Sequence, residues 1–232
     1  MNKLDGFMLL GWYLTRPALR PAKALPRPEL LPETIVSGTD CFCAIHPDLV
    51  DDVYCLDKED MYQLLYASSN DFGNVCYLRT PALAAWANER FFQNSQGVYG
   101  LAVHSRRLAA LCREVGLCSD DKRPADVWVT PAQGDEIPLG YDVMGYNHGW
   151  NGFHCNYLQD ELFDVFGARL NEHGLIGDYE LAETFSCHIN ARGLGEPGLY
   201  LPYAILRPAE VRYCEEKAPV PARWECWPQN ND

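Results

Sequence analysis

Residues 139–146 (LGYDVMGY) and 199–206 (LYLPYAIL) frame the stretch that decides the fold of this 232-residue chain. Both are short apolar runs bounded by turn-forming residues, which predicts β-strands. Pro202 interrupts the second run, which predicts an edge strand or a bulge there. Helical patterns lie between the strands without a regular strand–helix alternation. The sequence therefore predicts an α+β fold, with helices packed on a mostly antiparallel sheet.

Two helices are predicted between these strands. Asn156 and Gln159 form a plausible capping pair for a helix over 157–170. The apolar stripe of this helix recurs every four residues, at Leu158, Leu162, Phe166 and Leu170. Asp178 predicts the start of the second helix, which Gly193 ends.

The N-terminal half predicts a strand over residues 4–14, the first of the sheet or one at its edge. Thr80 followed by Pro81 is typical of a helix start, because a capping hydroxyl precedes a proline at the first helical position. Ser105 predicts the start of another helix, with Gly116 as its end. These elements complete the expected α+β fold.

The chain is expected to form a single domain, residues 1–232, with two atypical segments. Residues 16–32 contain five prolines, a density that resists helix and central strand and predicts an extended arm. This arm is basic, which would allow it to wrap back on an acidic body. The tail after residue 218 is expected to pack loosely.

The negative charge is concentrated in two blocks. The formal net charge is −13, and residues 31–75 hold nine acidic residues against one basic residue. Residues 125–198 hold twelve acidic residues against two basic ones. Such a surface attracts basic partners and repels nucleic acid.

No segment approaches the roughly 20 apolar residues of a membrane helix, and the start of the chain lacks a cleavable signal pattern. We therefore expect a soluble, cytoplasmic protein. Without an export signal, the ten cysteines are expected to be buried thiols rather than disulfides. Cys112 and Cys187 each fall within a helical pattern.

A cysteine and several histidines suggest one enzymatic alternative. The candidate catalytic residues are Cys155, His154, His148 and His188. A thiolate beside an imidazole is the pairing used by cysteine-dependent hydrolases and transferases. The simpler interpretation is that residues 147–156 form a glycine-rich connection, which Trp150 and Phe153 anchor to the core.

The histidines and cysteines do not predict a metal site. Zinc sites usually draw their ligands from closely spaced pairs, and neither C-x-x-C nor H-x-x-x-H occurs in this region. The glycines at 140, 145, 149 and 152 do not match the spacing of phosphate- or dinucleotide-binding loops. No cofactor is therefore expected.

The segment from Pro138 to Pro202 resembles bacterial immunity proteins, which guard a cell against its own secreted toxins. The resemblance lies in four stretches: PLGYDVMGY (138–146), HGWNGFHCNYLQDEL (148–162), LNEHGLI (170–176) and EPGLYLPYAI (196–205). It implies a protein that binds a cognate toxin, often over the active site, and performs no chemistry itself.

The leading hypothesis is therefore an immunity protein that occludes a basic toxin through an acidic surface with aromatic anchors. The predicted partner-binding residues are Asp160, Glu161, Asp164, Asp48, Asp51, Asp52, Tyr146, Trp150 and Tyr157. The cysteine-dependent enzyme is the alternative. A structural or adaptor module with no toxin partner is not distinguished from the first hypothesis by the sequence.

Overall fold

A computed structural model describes residues 4–15, 18–19, 27–32, 34–39, 68–70, 77–94, 96–114, 130–132, 136–147 and 149–209. The strands are β1 Phe7–Thr15, β2 Ala18–Leu19, β3 Thr34–Ile35, β4 Ser68–Asn70, β5 Tyr77–Leu78, β6 Gly97–His104, β7 Thr130–Pro131, β8 Ile137–Tyr146, β9 Trp150–Gly152 and β10 Leu201–Arg207. The helices are α1 Pro81–Phe92, α2 Ser105–Glu114, α3 Gln159–Phe166 and α4 Tyr179–Arg192.

One antiparallel sheet organises the described residues. Its order is β4-β5-β1-β6-β10-β8-β9, and β7 also pairs with β1. Strands β2 and β3 form a separate two-stranded sheet. The α+β prediction, with helices on a mostly antiparallel sheet, is confirmed.

Both faces of the main sheet are buried, because successive side chains along a strand point to opposite sides. On one face, Trp12 and Val143 join a core that includes Phe185 and Ile189 of α4. On the other face, the buried side chains include those of Tyr13, Leu101, Met144, Tyr203 and, from α2, Leu111. Helix α3, which carries the acidic residues of the site described below, packs on the first face through Leu162.

Two strands lie deeper in the sheet than the sequence predicted. Strand β1 was expected first or at an edge, but it pairs with β6 on one side and with β5 and β7 on the other. Strand β10 lies between β6 and β8, so the edge position predicted from Pro202 is wrong. Its pairing with β8 does contain a register irregularity, but this lies between Ile205 and Leu206 rather than at Pro202. The strand tolerates this proline because its pairing with β6 begins only at Tyr203.

Two helix starts predicted from capping residues, at Thr80 and at Asp178, are confirmed. The Thr80 hydroxyl accepts a hydrogen bond from the Leu83 N–H, and Asp178 caps Leu181 in the same way. Helix α4 ends at Gly193, which adopts the left-handed conformation with φ of 61°.

Helix α3 is shorter than predicted and is not capped by Asn156. It ends at Gly167, whose φ is 60°, and Leu170 instead bridges to Ile176. The Asn156 amide donates to the carbonyl of Gly152 and to the hydroxyl of Tyr200. The preceding connection also contains β9, which pairs back on β8.

Three cysteines lie among the described residues, and all are thiols rather than disulfides. Cys112 is buried and Cys155 is partly buried, whereas Cys187 is exposed on α4, contrary to the prediction of burial. The described helices include none that is both long and apolar enough to cross a bilayer. Of the predicted arm, residues 18–19 and 27–32 are described, and the tail after 218 lies outside the described residues.

Candidate functional site

The first turns of α3 carry a cluster of carboxylates on the side away from the core. At 100° per residue, Asp160, Glu161 and Asp164 share one arc of the helix, while Leu162 and Phe163 face inward and are buried. The side chains of Asp160 and Asp164 are 44% and 56% exposed. We call these three residues the acidic face.

Arg27 from the predicted arm is bound to this face. Its two terminal nitrogens donate to the two Asp164 carboxylate oxygens, each at 2.7 Å, and its Nε lies 3.1 Å from Oδ1 of Asp160. This parallel two-point contact is the strong geometry of an arginine–carboxylate pair. The hydrogen bonds that Arg27 donates to Asp164 raise the pKa of Arg27. The expectation that the basic arm wraps back on the acidic body is confirmed at this point.

Glu161 contacts two further side chains, both from α4. Its Oε1 lies 2.6 Å from Nε2 of His188 and accepts a hydrogen bond of 2.8 Å from Arg192. The His188 ring also packs edge-on against Phe166. His188 therefore contacts the acidic face, and its Nε2 is paired with Glu161 rather than with Cys155.

The predicted aromatic anchors separate into surface and core residues. Tyr157, two residues before α3, is 53% exposed, and Val165, next to Asp164 on α3, is 54% exposed, so both lie at the surface close in sequence to the acidic face. Tyr146 is partly buried. Trp150 is fully buried and is corrected here from a surface anchor to a core residue.

The burial of Trp150 follows from the pairing of β9 with β8. The pairing turns the indole into the second face of the sheet, where it meets Tyr77 and Tyr203 edge-on at ring-centroid distances of 6.0 and 5.5 Å. Edge-on contacts of this kind are favourable between aromatic rings. The simpler interpretation of the sequence, in which Trp150 and Phe153 anchor this connection to the core, agrees with the burial of both side chains.

His154 is held as a neutral structural side chain. Its Nε2 lies 2.7 Å from the Gly174 carbonyl, which can only accept, so Nε2 carries the proton. The Gln159 amide lies 3.0 Å from the other ring nitrogen. Burial lowers the pKa of His154 to about 4. Both ring nitrogens are therefore engaged away from the neighbouring Cys155.

Cys155 is linked instead to a polar network beneath residues 37–39. Its Sγ lies 3.4 Å from Oγ1 of Thr39, which in turn lies 3.3 Å from Oγ of Ser37. The Ser37 hydroxyl donates to Oδ2 of Asp142 at 2.6 Å. The thiol therefore contacts the Thr39 hydroxyl at the end of a chain of hydrogen-bonding groups that leads to Asp142.

Asp142 is the functional candidate that the sequence analysis missed. Its side chain is fully buried on β8, and Oδ2 also accepts from the Gly38 N–H at 3.3 Å. Desolvation raises its pKa to about 6 against the lowering effect of these hydrogen bonds. The sequence signal was an aspartate inside the apolar run LGYDVMGY. A carboxylate in a buried strand indicates a buried polar site, because it requires hydrogen-bond partners there.

The remaining predicted residues lie outside the described part of the chain: Asp48, Asp51, Asp52 and His148. The cysteine-dependent alternative therefore stays a prediction that rests on Cys155 with His148. Within the described ranges, no three His, Cys, Asp or Glu side chains are grouped to hold a metal ion.

No protein-family model matches this chain, and no curated protein or solved structure shows a significant match to it. The function is therefore inferred from the geometry and chemistry of the described residues. Their most distinctive combination is an exposed acidic helix face that already holds cationic groups from two other segments.

Proposed function

We propose that this protein is an immunity protein that binds a basic cognate toxin through the acidic face and neutralises it by covering its active site. The observation that supports this most directly is the set of cations already held there. Arg27 occupies Asp160 and Asp164, and Glu161 holds two groups from α4. The face thus has the spacing and orientation that guanidinium groups require.

The surroundings of the acidic face suit a protein partner. The apolar side chains of Tyr157 and Val165, which lie close to it in sequence, are both more than half exposed. Interfaces commonly combine a desolvated aromatic or aliphatic anchor with charged groups around it. Here the tyrosine would supply contact area, and the carboxylates would supply orientation.

The charge of the whole chain favours rapid capture of a basic partner. The formal net charge of −13 gives a long-range field that accelerates association with a cationic protein. Salt weakens this attraction, since exposed charges are screened over about 8 Å at physiological ionic strength. Once it is bound to the toxin, the protein keeps the toxin's substrate out of the active site and needs no catalytic residue of its own.

The test is capture of partners from the native host with the tagged full-length protein, at low and then at high salt. We expect one basic, stoichiometric partner. The Asp160→Asn/Asp164→Asn variant should retain at least about tenfold less of it, as expected for loss of two central charges. The matched control is Glu89→Gln/Glu172→Gln, which makes the same charge change at exposed positions elsewhere.

Two results would count against the proposal. Equal capture by the two double variants would remove the acidic face as the binding surface. Absence of any basic partner at low salt would remove the immunity function itself.

A further inference from the structure

The segment that carries Arg27 continues over α3 and into the sheet. We call residues 27–32 and 34–39 the strap. At its first end Arg27 binds the acidic face. At its other end the Ser37 hydroxyl and the Gly38 N–H bind the buried carboxylate of Asp142.

Between these ends the strap covers apolar side chains and a thiol. Leu31 and Ile35 are buried against Phe163 of α3, and Cys155 packs on the same cluster. Ile35 also lies against the backbone of Gly174, where an added Cβ would meet its Cγ2 at 3.1 Å. The strap is therefore the lid over this part of the molecule.

The two ends of the strap are held very differently. The side chain of Arg27 is 38% exposed, so its attraction to the acids is screened by water and salt. The contacts of Ser37 and Gly38 are buried, and the Val36 N–H adds a backbone bond to the His173 carbonyl at 2.9 Å. Of the polar contacts at the two ends, the Arg27 contact is therefore the more readily exchanged.

We propose that Arg27 is an internal substitute for an arginine of the partner, and that a guanidinium-bearing partner displaces it and opens the first half of the strap. This inference rests on the proposed function, because it concerns the same acidic face. Opening withdraws Leu31 from Phe163 and Cys155, which exposes more of the Cys155 side chain while its contact with Thr39 in the second half is kept. The partner then gains apolar surface in addition to the carboxylates.

Charge balance favours the exchange. Asp160 and Asp164 are two carboxylates, and the single guanidinium of Arg27 contacts both of them. A surface that presents several arginines satisfies both carboxylates and therefore competes well with a single internal side chain. The strap in turn protects the apolar cluster from solvent until a partner of suitable charge arrives.

Thiol labelling of the full-length protein tests whether Arg27 holds the strap. The reagent is an uncharged maleimide, and modification of each cysteine is followed by peptide mass spectrometry. Arg27→Ala should label Cys155 about two- to fivefold faster, the range expected for loss of an exposed ion pair. Exposed Cys187 and buried Cys112 should keep their rates, since they report reagent reactivity and global unfolding.

The matched control is Arg113→Ala, which removes an exposed arginine from α2 and should leave Cys155 unchanged. Raised salt should accelerate labelling of Cys155 in the wild type and have little further effect in Arg27→Ala. If Cys155 is labelled at the same rate in Arg27→Ala and in the wild type, the proposal that Arg27 holds the strap closed is wrong.

A hexa-arginine peptide then tests displacement without any toxin. At low salt it should accelerate labelling of Cys155 in the wild type, while hexa-glutamate should not. In Asp160→Asn/Asp164→Asn, labelling should already be fast and insensitive to the peptide. If hexa-arginine leaves the labelling rate of wild-type Cys155 unchanged, the proposal that a partner's arginine displaces Arg27 is wrong.

The two proposals fail separately. Acceleration by hexa-arginine with no toxin captured from the host would keep the exchange and refute the immunity function. A captured toxin that leaves labelling of Cys155 unchanged would support the immunity function and refute the strap.

Discussion

Asp142 and Asp164 hold opposite ends of the same strap in opposite environments. Asp142 is fully buried and binds a hydroxyl and a backbone N–H, whereas the side chain of Asp164 is 56% exposed and binds a guanidinium. Burial makes the first contact durable but makes the charge on Asp142 unfavourable. Exposure makes the second contact weak and therefore exchangeable. One fixed end and one exchangeable end are what a strap that opens requires.

The largest expected effect separates the buried and the exposed aromatic residues. Trp150→Ala should lower the free energy of unfolding by about 3–5 kcal/mol, because it leaves a cavity in the second face of the sheet. Tyr157→Ala should change the free energy of unfolding by less than about 0.5 kcal/mol, as for ordinary surface positions. Urea titration measures both, and similar losses in the two variants would break the distinction between core and surface.

A second prediction uses two buried titratable groups whose effects on stability have opposite signs. The pKa of Asp142 is raised from 3.8 to about 6, so the stability it contributes is full below pH 3.8 and is lost as pH rises through 6. The pKa of His154 is lowered from 6.5 to about 4, so its contribution is full above pH 6.5 and is lost as pH falls through 4. Each shift corresponds to roughly 3 kcal/mol.

The two contributions nearly cancel in the wild type between pH 6.5 and 4. Asp142→Asn removes one of them, so the variant should lose roughly 3 kcal/mol more than the wild type when the pH falls across this window. His154→Gln should show the opposite trend relative to the wild type. Urea unfolding at a series of pH values provides the measurement, and parallel curves for all three proteins would contradict the burial of both charges.

The smallest effect belongs to the exposed end of the strap. Asp164→Asn should leave the midpoint of urea unfolding almost unchanged, because exposed ion pairs add little to global stability. Any difference from the wild type should shrink further as salt is raised. A large loss of stability in Asp164→Asn would mean that this end is structural rather than exchangeable.

Local signals in the sequence were reliable where the interaction spans a few residues. Thr80 and Asp178 cap helices through hydrogen bonds to residues three positions later. Gly193 ends α4 because it adopts a left-handed conformation that other residues avoid. Such contacts form within one turn of chain, so the order of residue types is sufficient to predict them.

Sequence signals failed where a distant segment competed for the same group. Asn156 and Gln159 have the spacing of a capping pair, but Asn156 binds Gly152 and Tyr200, and Gln159 binds His154. Pro202 suggests an edge strand or a bulge, but the strand is interior, and its pairing with β6 begins only after the proline, at Tyr203. Neither outcome is visible without the packed sheet.

The sequence by itself determined the fold class, the capped helix starts and the concentration of acidic residues in two blocks. Only the tertiary structure decided which of those acids reach the surface. It buried Asp142 beneath the strap and joined Arg27 to Asp164, 137 positions away. The physical reason is that composition sets the number of charges, whereas burial and pairing depend on which distant segments the sheet brings together.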